Sequence, residues 1–103
     1  MTSKKLDPRA QTILTAALQV ASTVGYLRVT RDAIATAAGC SPALVSFHLG
    51  TMPQTHRAVM GEALRVRNLR VIAQGLAHSD RRALNAPAEL RAAAAASLTG
   101  GAV

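Results

Sequence analysis

Ile34-Ala-Thr-Ala-Ala-Gly-Cys-Ser-Pro-Ala-Leu-Val-Ser-Phe-His-Leu49 reads as two short helices joined by the turn Gly39-Cys40-Ser41. Thr30 can cap a helix over Arg31 to Ala38, along which small and apolar side chains recur at Ile34, Ala37 and Ala38. Gly39 can take the left-handed backbone that closes this helix, and Ser41-Pro42 then supplies an N-cap and a first helical position. In the second helix Leu44, Val45 and Leu49 can face inward, which leaves Pro42, Ala43, Ser46, Phe47 and His48 to face a groove. Alanines at 35, 37 and 38 allow the two helices to approach closely. A helical hairpin inside an ordinary all-α domain shares this outline, so the charge of the chain has to separate the two readings.

Twelve Lys and Arg stand against five Asp and Glu, a formal charge of +7 on 103 residues, which suits a polyanionic partner. Double-stranded DNA is the economical choice, because no apolar run approaches the roughly 20 residues of a membrane-spanning helix and no signal-peptide pattern opens the chain. The expected location is cytoplasmic, without a membrane partner. The single cysteine, Cys40, cannot form an internal disulfide, and its place in the turn suits a small half-buried side chain. His48, His56 and His78 have no metal-ligand spacing, the five acidic residues are scattered singly, and no glycine-rich phosphate loop is present. The expectation is therefore no enzyme, no metal and no cofactor.

Half of the residues are apolar, many of them alanine, with one Phe, one Tyr and no Trp, which favours closely packed helices over a sheet. The expected class is all-α with about five helices. Residues 1–6, with Lys4 and Lys5, read as a short basic arm ahead of the Asp7-Pro8 cap. A first helix runs to about Val24, carrying Ile13, Ala17, Val20 and Val24 on one stripe and Leu14, Leu18 and Ala21 on the next, and Gly25 closes it. Tyr26 to Val29 is an extended connector whose Tyr26 and Val29 pack beneath the helix pair.

After Gly50, Thr51 and Gln54 form a capping box for a long helix that continues to about Ala77, with fraying at Gly75. Its apolar face turns on the way. Val59, Met60, Ala63 and Leu64 centre on one side, whereas Val66, Leu69, Ala73 and Leu76 centre roughly 130° away. The first half suits the chain's own N-terminal region; the second suits another subunit or the last helix. Ser79 to Arg82 is a polar link, Ala86-Pro87 starts a final helix with Leu90, Ala94 and Leu98 in line, and Gly100-Gly101 ends it. The expected organisation is an arm over 1–6, a DNA-binding domain over 7–50, linker and dimerisation helices over 51–98 with Val66, Leu69, Ala73, Leu76 and Leu90 at the interface, and a tail over 99–103. A monomeric hairpin of the last two helices is the alternative.

I-L-x-A-A at 13 to 17, Gly25, Thr30, I-A-x-x-A-G at 34 to 39, Ser41 and His48-Leu49 resemble the TetR family of helix-turn-helix proteins over Arg9 to Leu64. The resemblance implies an all-α fold and a dimeric repressor that reads a palindromic operator. Where the family usually has a Tyr in the second helix this chain has Ser46, and where it usually has a Lys at the start of the fourth helix it has Met52. Arg31, Thr51, Gln54 and Arg57 are the substitutes for phosphate contact by chemistry and position. Family members normally carry a large C-terminal ligand-binding domain, whereas here only residues 65–103 follow the shared region. A second, weaker resemblance, resting on compactness and the G-T-M turn at 50 to 52, is to small plasmid- and phage-borne repressors of the KorC type, and it implies no small-molecule effector.

The expected mechanism places two copies of Pro42 to Leu49 in successive major grooves of an inverted repeat, about 34–36 Å apart. Ser46 and His48 can hydrogen-bond base edges or phosphates, Ala43 and Phe47 can touch thymine methyls, and Ser41 can cap its helix or reach a phosphate. Thr30, Arg31, Arg57, Arg9 and Arg28 lie on the elements that can supply phosphate contacts. Two other functions fit the same composition: a non-specific architectural DNA-binding protein, and a protein-interaction adaptor or inhibitor that uses the apolar face of the fourth helix.

Overall fold

The computed structural model describes residues 7–101, with side chains to residue 97. They form seven α-helices and one 3-10 turn: α1 (Pro8–Val24), the turn Tyr26–Arg28, α2 (Arg31–Ala38), α3 (Pro42–Leu49), α4 (Met52–Val66), α5 (Leu69–Ala77), α6 (Arg81–Leu84) and α7 (Ala88–Gly101). The all-α class stands, and the expected count of about five is corrected to seven. The arm over 1–6, with Lys4 and Lys5, and residues 102–103 of the expected tail lie outside the described residues.

α1 begins as its sequence implies, with the Asp7 carboxylate accepting the Arg9 N–H at 2.8 Å and Pro8 in the first turn. Ala10, Ile13, Leu14, Ala17, Leu18 and Ala21 are buried, while Val24, at the end of the expected stripe, is exposed. The segment after Gly25 is a 3-10 turn and not an extended connector, since the Arg28 N–H donates to the Gly25 carbonyl at 3.0 Å. Tyr26 and Val29 are buried. The hydrogen bonds of Tyr26 run to α5 and to the cap of α6: its N–H donates to Gln74 Oε1 at 2.6 Å and its phenol donates to the Asp80 carboxylate. Burial first, and the Asp80 carboxylate second, push the phenol pKa upward and keep it a neutral donor.

The expected long fourth helix breaks. Arg67 takes a left-handed backbone (φ 59°, ψ 45°), and the N–H groups of Arg67 and Asn68 close back on the carbonyls of Leu64 at 3.3 Å and Ala63 at 2.8 Å. Asn68 then caps α5, its Oδ1 accepting the Val71 N–H at 3.0 Å while its Nδ2 donates to Ser22 Oγ of α1 at 2.9 Å. The rotated apolar face of residues 66–76 is answered by this reversal. α5 turns back to pack against α7, α6, α4 and α1, burying Val71, Ile72 and Ala73.

Two further expectations, at Gly75 and in the polar link, are corrected by the structure. Gly75 is buried inside α5 and marks a close approach, since a Cβ there would meet Met60 Cε and lie 3.0 Å from Ala83 Cβ. The polar link contains α6, because Asp80 Oδ1 accepts the N–H groups of Arg82 at 2.9 Å and Ala83 at 3.1 Å. α7, described to Gly101, includes Gly100 and Gly101 in its last turn. One hydrophobic cluster spans α1 to α7, so the core is continuous across the expected division at residues 50/51. Alanine supplies much of it, and the molecule measures 19 Å along its shortest axis, two helix layers.

Gly75→Val is expected to destabilise the chain by about 1–3 kcal/mol through overpacking against Met60 and Ala83, read as a lowered urea midpoint. Asn68→Ala is expected to cost about 2 kcal/mol, combining a lost cap and a lost side-chain bond. Asn68→Asp, which keeps the acceptor but not the donor, should fall between Asn68→Ala and the parent.

Candidate nucleic-acid interface

Each end of the α2–α3 unit is held by a local bond that its sequence anticipates. Thr30 Oγ1 accepts the Ala33 N–H at 3.1 Å and starts α2, with Arg31 half-buried at the first position. Gly39 adopts φ 72°, ψ 38°, and the N–H groups of Gly39 and Cys40 bond the carbonyls of Thr36 at 3.3 Å and Ala35 at 3.0 Å. Ser41 Oγ accepts the Leu44 N–H at 3.1 Å, and Pro42 follows at the first position of α3. Capping therefore accounts for the hydroxyls of Thr30 and Ser41.

Burial sorts α3 into two faces. Val45 and Leu49 are buried and Leu44 is packed partly against the core. Pro42, Ala43 and Phe47 are exposed, Phe47 to 79 %, and Ser46 and His48 are half-buried. Phe47 thus belongs to the outer face and not to the core. Its ring stands edge-on to that of His48, with centroids 5.0 Å apart and planes at 83°. In α2, Ala35 is buried and Ala38 packs against the core, whereas Ala37, expected at the helix contact, is exposed.

α1 and α3 together line an open cleft of about 810 Å³. Asp7, Pro8, Arg9 and Thr12 come from the start of α1, Gly39 and Cys40 from the turn, and Leu44, Phe47 and His48 from α3. Arg9, separated in sequence from the helix pair, is thereby brought to the same cavity as Phe47 and His48. No local pattern reveals this pairing, because it arises from α1 packing across α2 and α3.

After Gly50 (φ 81°), the expected capping box is present: Gln54 N–H donates to Thr51 Oγ1 at 3.2 Å and Thr51 N–H donates to Gln54 Oε1 at 2.9 Å. Thr51 and Gln54 are therefore engaged with each other, and Gln54 keeps its amide NH2 as the outward donor. Arg57, one turn further on, is exposed. The adjoining Thr55 is buried, its hydroxyl bonded to the Thr51 carbonyl at 2.9 Å.

Of the expected interface on residues 66–90, Ala73 and Leu90 are buried within the chain and Leu69 and Leu76 pack partly against its core. Only Val66 is exposed. These residues do not form one free surface, because α5 already uses its apolar face against α7.

A buried carboxylate locks α1 to α4. Glu62, 6 % exposed, accepts from Gln11 Nε2 of α1 at 3.0 Å and from Arg65 Nε and Nη2 at 2.8 and 2.6 Å. The Arg65 guanidinium is the main influence holding the Glu62 carboxyl below the ordinary glutamate range; burial opposes it and the Gln11 bond adds to it. Sequence spacing shows the Glu62–Arg65 pair but not the Gln11 partner, which lies 51 residues away.

No family model, curated protein or solved structure matches the chain. Among the described residues no helix is long and apolar enough to cross a membrane.

Because the Glu62 pKa is lowered on folding, its contribution is present above the ordinary glutamate pKa and is lost as pH falls through the lower folded value. Urea midpoints of the parent should therefore drop more steeply with acidification than those of Glu62→Gln. Parallel curves would show that this carboxylate does not carry the acid sensitivity.

Proposed function

We propose that the chain is a sequence-specific DNA-binding transcriptional regulator, a repressor that reads a palindromic operator as a homodimer through a TetR-like helix-turn-helix. The observation that supports this most is the division of α3, whose Val45 and Leu49 are anchored while Pro42, Ala43 and Phe47 project outward. An eight-residue helix held by its back and presented by its front suits a major groove. The formal charge of +7 supplies the matching electrostatics.

In this reading α3 lies along the floor of the groove, and Arg9, across the cleft from Phe47 and His48, meets the phosphate ridge beside it. Arg31 at the start of α2, with Arg57 and the Gln54 amide on α4, are the further phosphate donors. Ser46 and His48 flank the outer ridge, the first with a hydroxyl that donates and accepts and the second with an imidazole that has two ring nitrogens.

In this reading the homodimer uses Val66, the exposed member of the expected set, together with Val24, Leu27 and Leu84, the other exposed large aliphatic side chains among the described residues. The Ser22–Asn68 bond joins the segments that carry Val24 and Val66. No small-molecule effector is assigned. The site of action is the cytoplasm, on the chromosome or a plasmid.

Footprinting on the promoter of its own gene should show two protected half-sites about one helical turn apart, roughly 34–36 Å. A single unpaired site would remove the dimer from the proposal. Arg9→Ala and Arg57→Ala should weaken binding to every sequence alike and each reduce the slope of log K against log salt by about 1.

A further inference from the structure

The outer face of α3 has an unusual chemistry for a helix placed in a major groove. Pro42 to Leu49 contains no Arg, Lys, Asn, Gln, Asp or Glu, the side chains that make paired hydrogen bonds to guanine or adenine or accept from cytosine. At roughly 100° per residue, Phe47 lies about 180° from the midpoint of the buried Val45 and Leu49, and Ala43 lies within about 40° of Phe47. The centre of the exposed ridge is therefore a methyl and a phenyl group, with the hydroxyl of Ser46 and the imidazole of His48 at its margins.

The apolar feature that base pairs present in the major groove is the C5-methyl group of thymine. We propose that this protein selects its half-sites chiefly by their thymine methyl groups, with Phe47 as the specificity-determining side chain and Ala43 as the close-approach position beside it. This rests on the DNA-binding reading above. The edge-on contact with His48 sets the imidazole beside the otherwise exposed Phe47 ring. A duplex is favoured as the occupant over an apolar protein surface by Arg9 in the same cleft and by the formal charge of +7.

A methyl group removed from an apolar contact corresponds to about 0.8 kcal/mol, a factor of about 4 in affinity, and two symmetric half-sites double the exponent to about 15-fold. The test begins with selection of tight-binding duplexes from a random-sequence pool by the full chain. The winning duplex is then resynthesised with deoxyuridine in place of thymidine in the half-sites. Binding of both duplexes is measured for the parent, Phe47→Ala and Phe47→Leu, with folding checked by circular dichroism. The expected result is thymine enrichment in the half-sites, about 15-fold weaker binding of the uracil duplex by the parent, and near-equal binding of the two by Phe47→Ala. Phe47→Leu should retain part of the discrimination, because it keeps an apolar side chain at the same place. A second pair of duplexes, with cytosine or 5-methylcytosine at the same positions, isolates the methyl group from the rest of the base, and the methylated form should bind about 4-fold more tightly per half-site contact. Equal binding of thymine and uracil duplexes by the parent, or a uracil penalty that survives unchanged in Phe47→Ala, overturns this assignment while leaving DNA binding intact. If no duplex is enriched or retained at all, the DNA-binding reading itself falls, and the exposed Phe47 ridge becomes a protein-docking surface.

Discussion

The chain reverses at Arg67 and Asn68, and the packing of everything after α4 depends on that reversal. Arg67 accepts a left-handed backbone that costs a non-glycine residue about 1 kcal/mol or more. Asn68 offsets it by capping α5 with one side-chain atom and holding Ser22 of α1 with another. Only with α5 turned back can Val71, Ile72 and Ala73 meet α7, and only then does Gly75 come close enough to Met60 and Ala83 to exclude a side chain. The same turn brings Gln74 and Asp80 to Tyr26, so the short 3-10 segment before α2 is held from behind by residues far along the chain.

That support bears on the candidate interface through continuity of packing. α1 contacts α2, α3, α4 and α5, and the Glu62–Gln11–Arg65 cluster fixes its N-terminal half against α4. Arg9 begins that half, so the position of the cleft wall opposite Phe47 follows from a buried carboxylate on another helix. A chain this rich in alanine tolerates such close helix contacts because its side chains keep backbones only a methyl group apart.

The helix breaks at residues 39 and 67 use the same pair of hydrogen bonds, yet only the first is legible in the sequence. At Gly39 the residue type announces the left-handed backbone, and Ser41-Pro42 confirms the restart. At Arg67 the side chain gives no such sign, and the apolar pattern on both sides is compatible with one helix whose face drifts. Asn68 followed by an apolar run was the available clue. The caps at Asp7, Thr30, Ser41 and Thr51 were readable because each depends on side-chain atoms within three residues of the N–H groups they bind.

Local chemistry in the sequence thus determined the all-α class, the placement of α1 to α3 and the start of α4, and the inward set Val45 and Leu49, since caps, glycine backbones and helical periodicity act over a few residues. The tertiary structure alone decided that residues 66–76 turn inward to α7, that Ala73 and Leu90 belong to the chain's own core, and that Arg9 shares a cleft with Phe47 and His48. Those outcomes depend on which faces meet across long stretches of chain, and a periodic apolar stripe specifies that a face is buried without specifying by what.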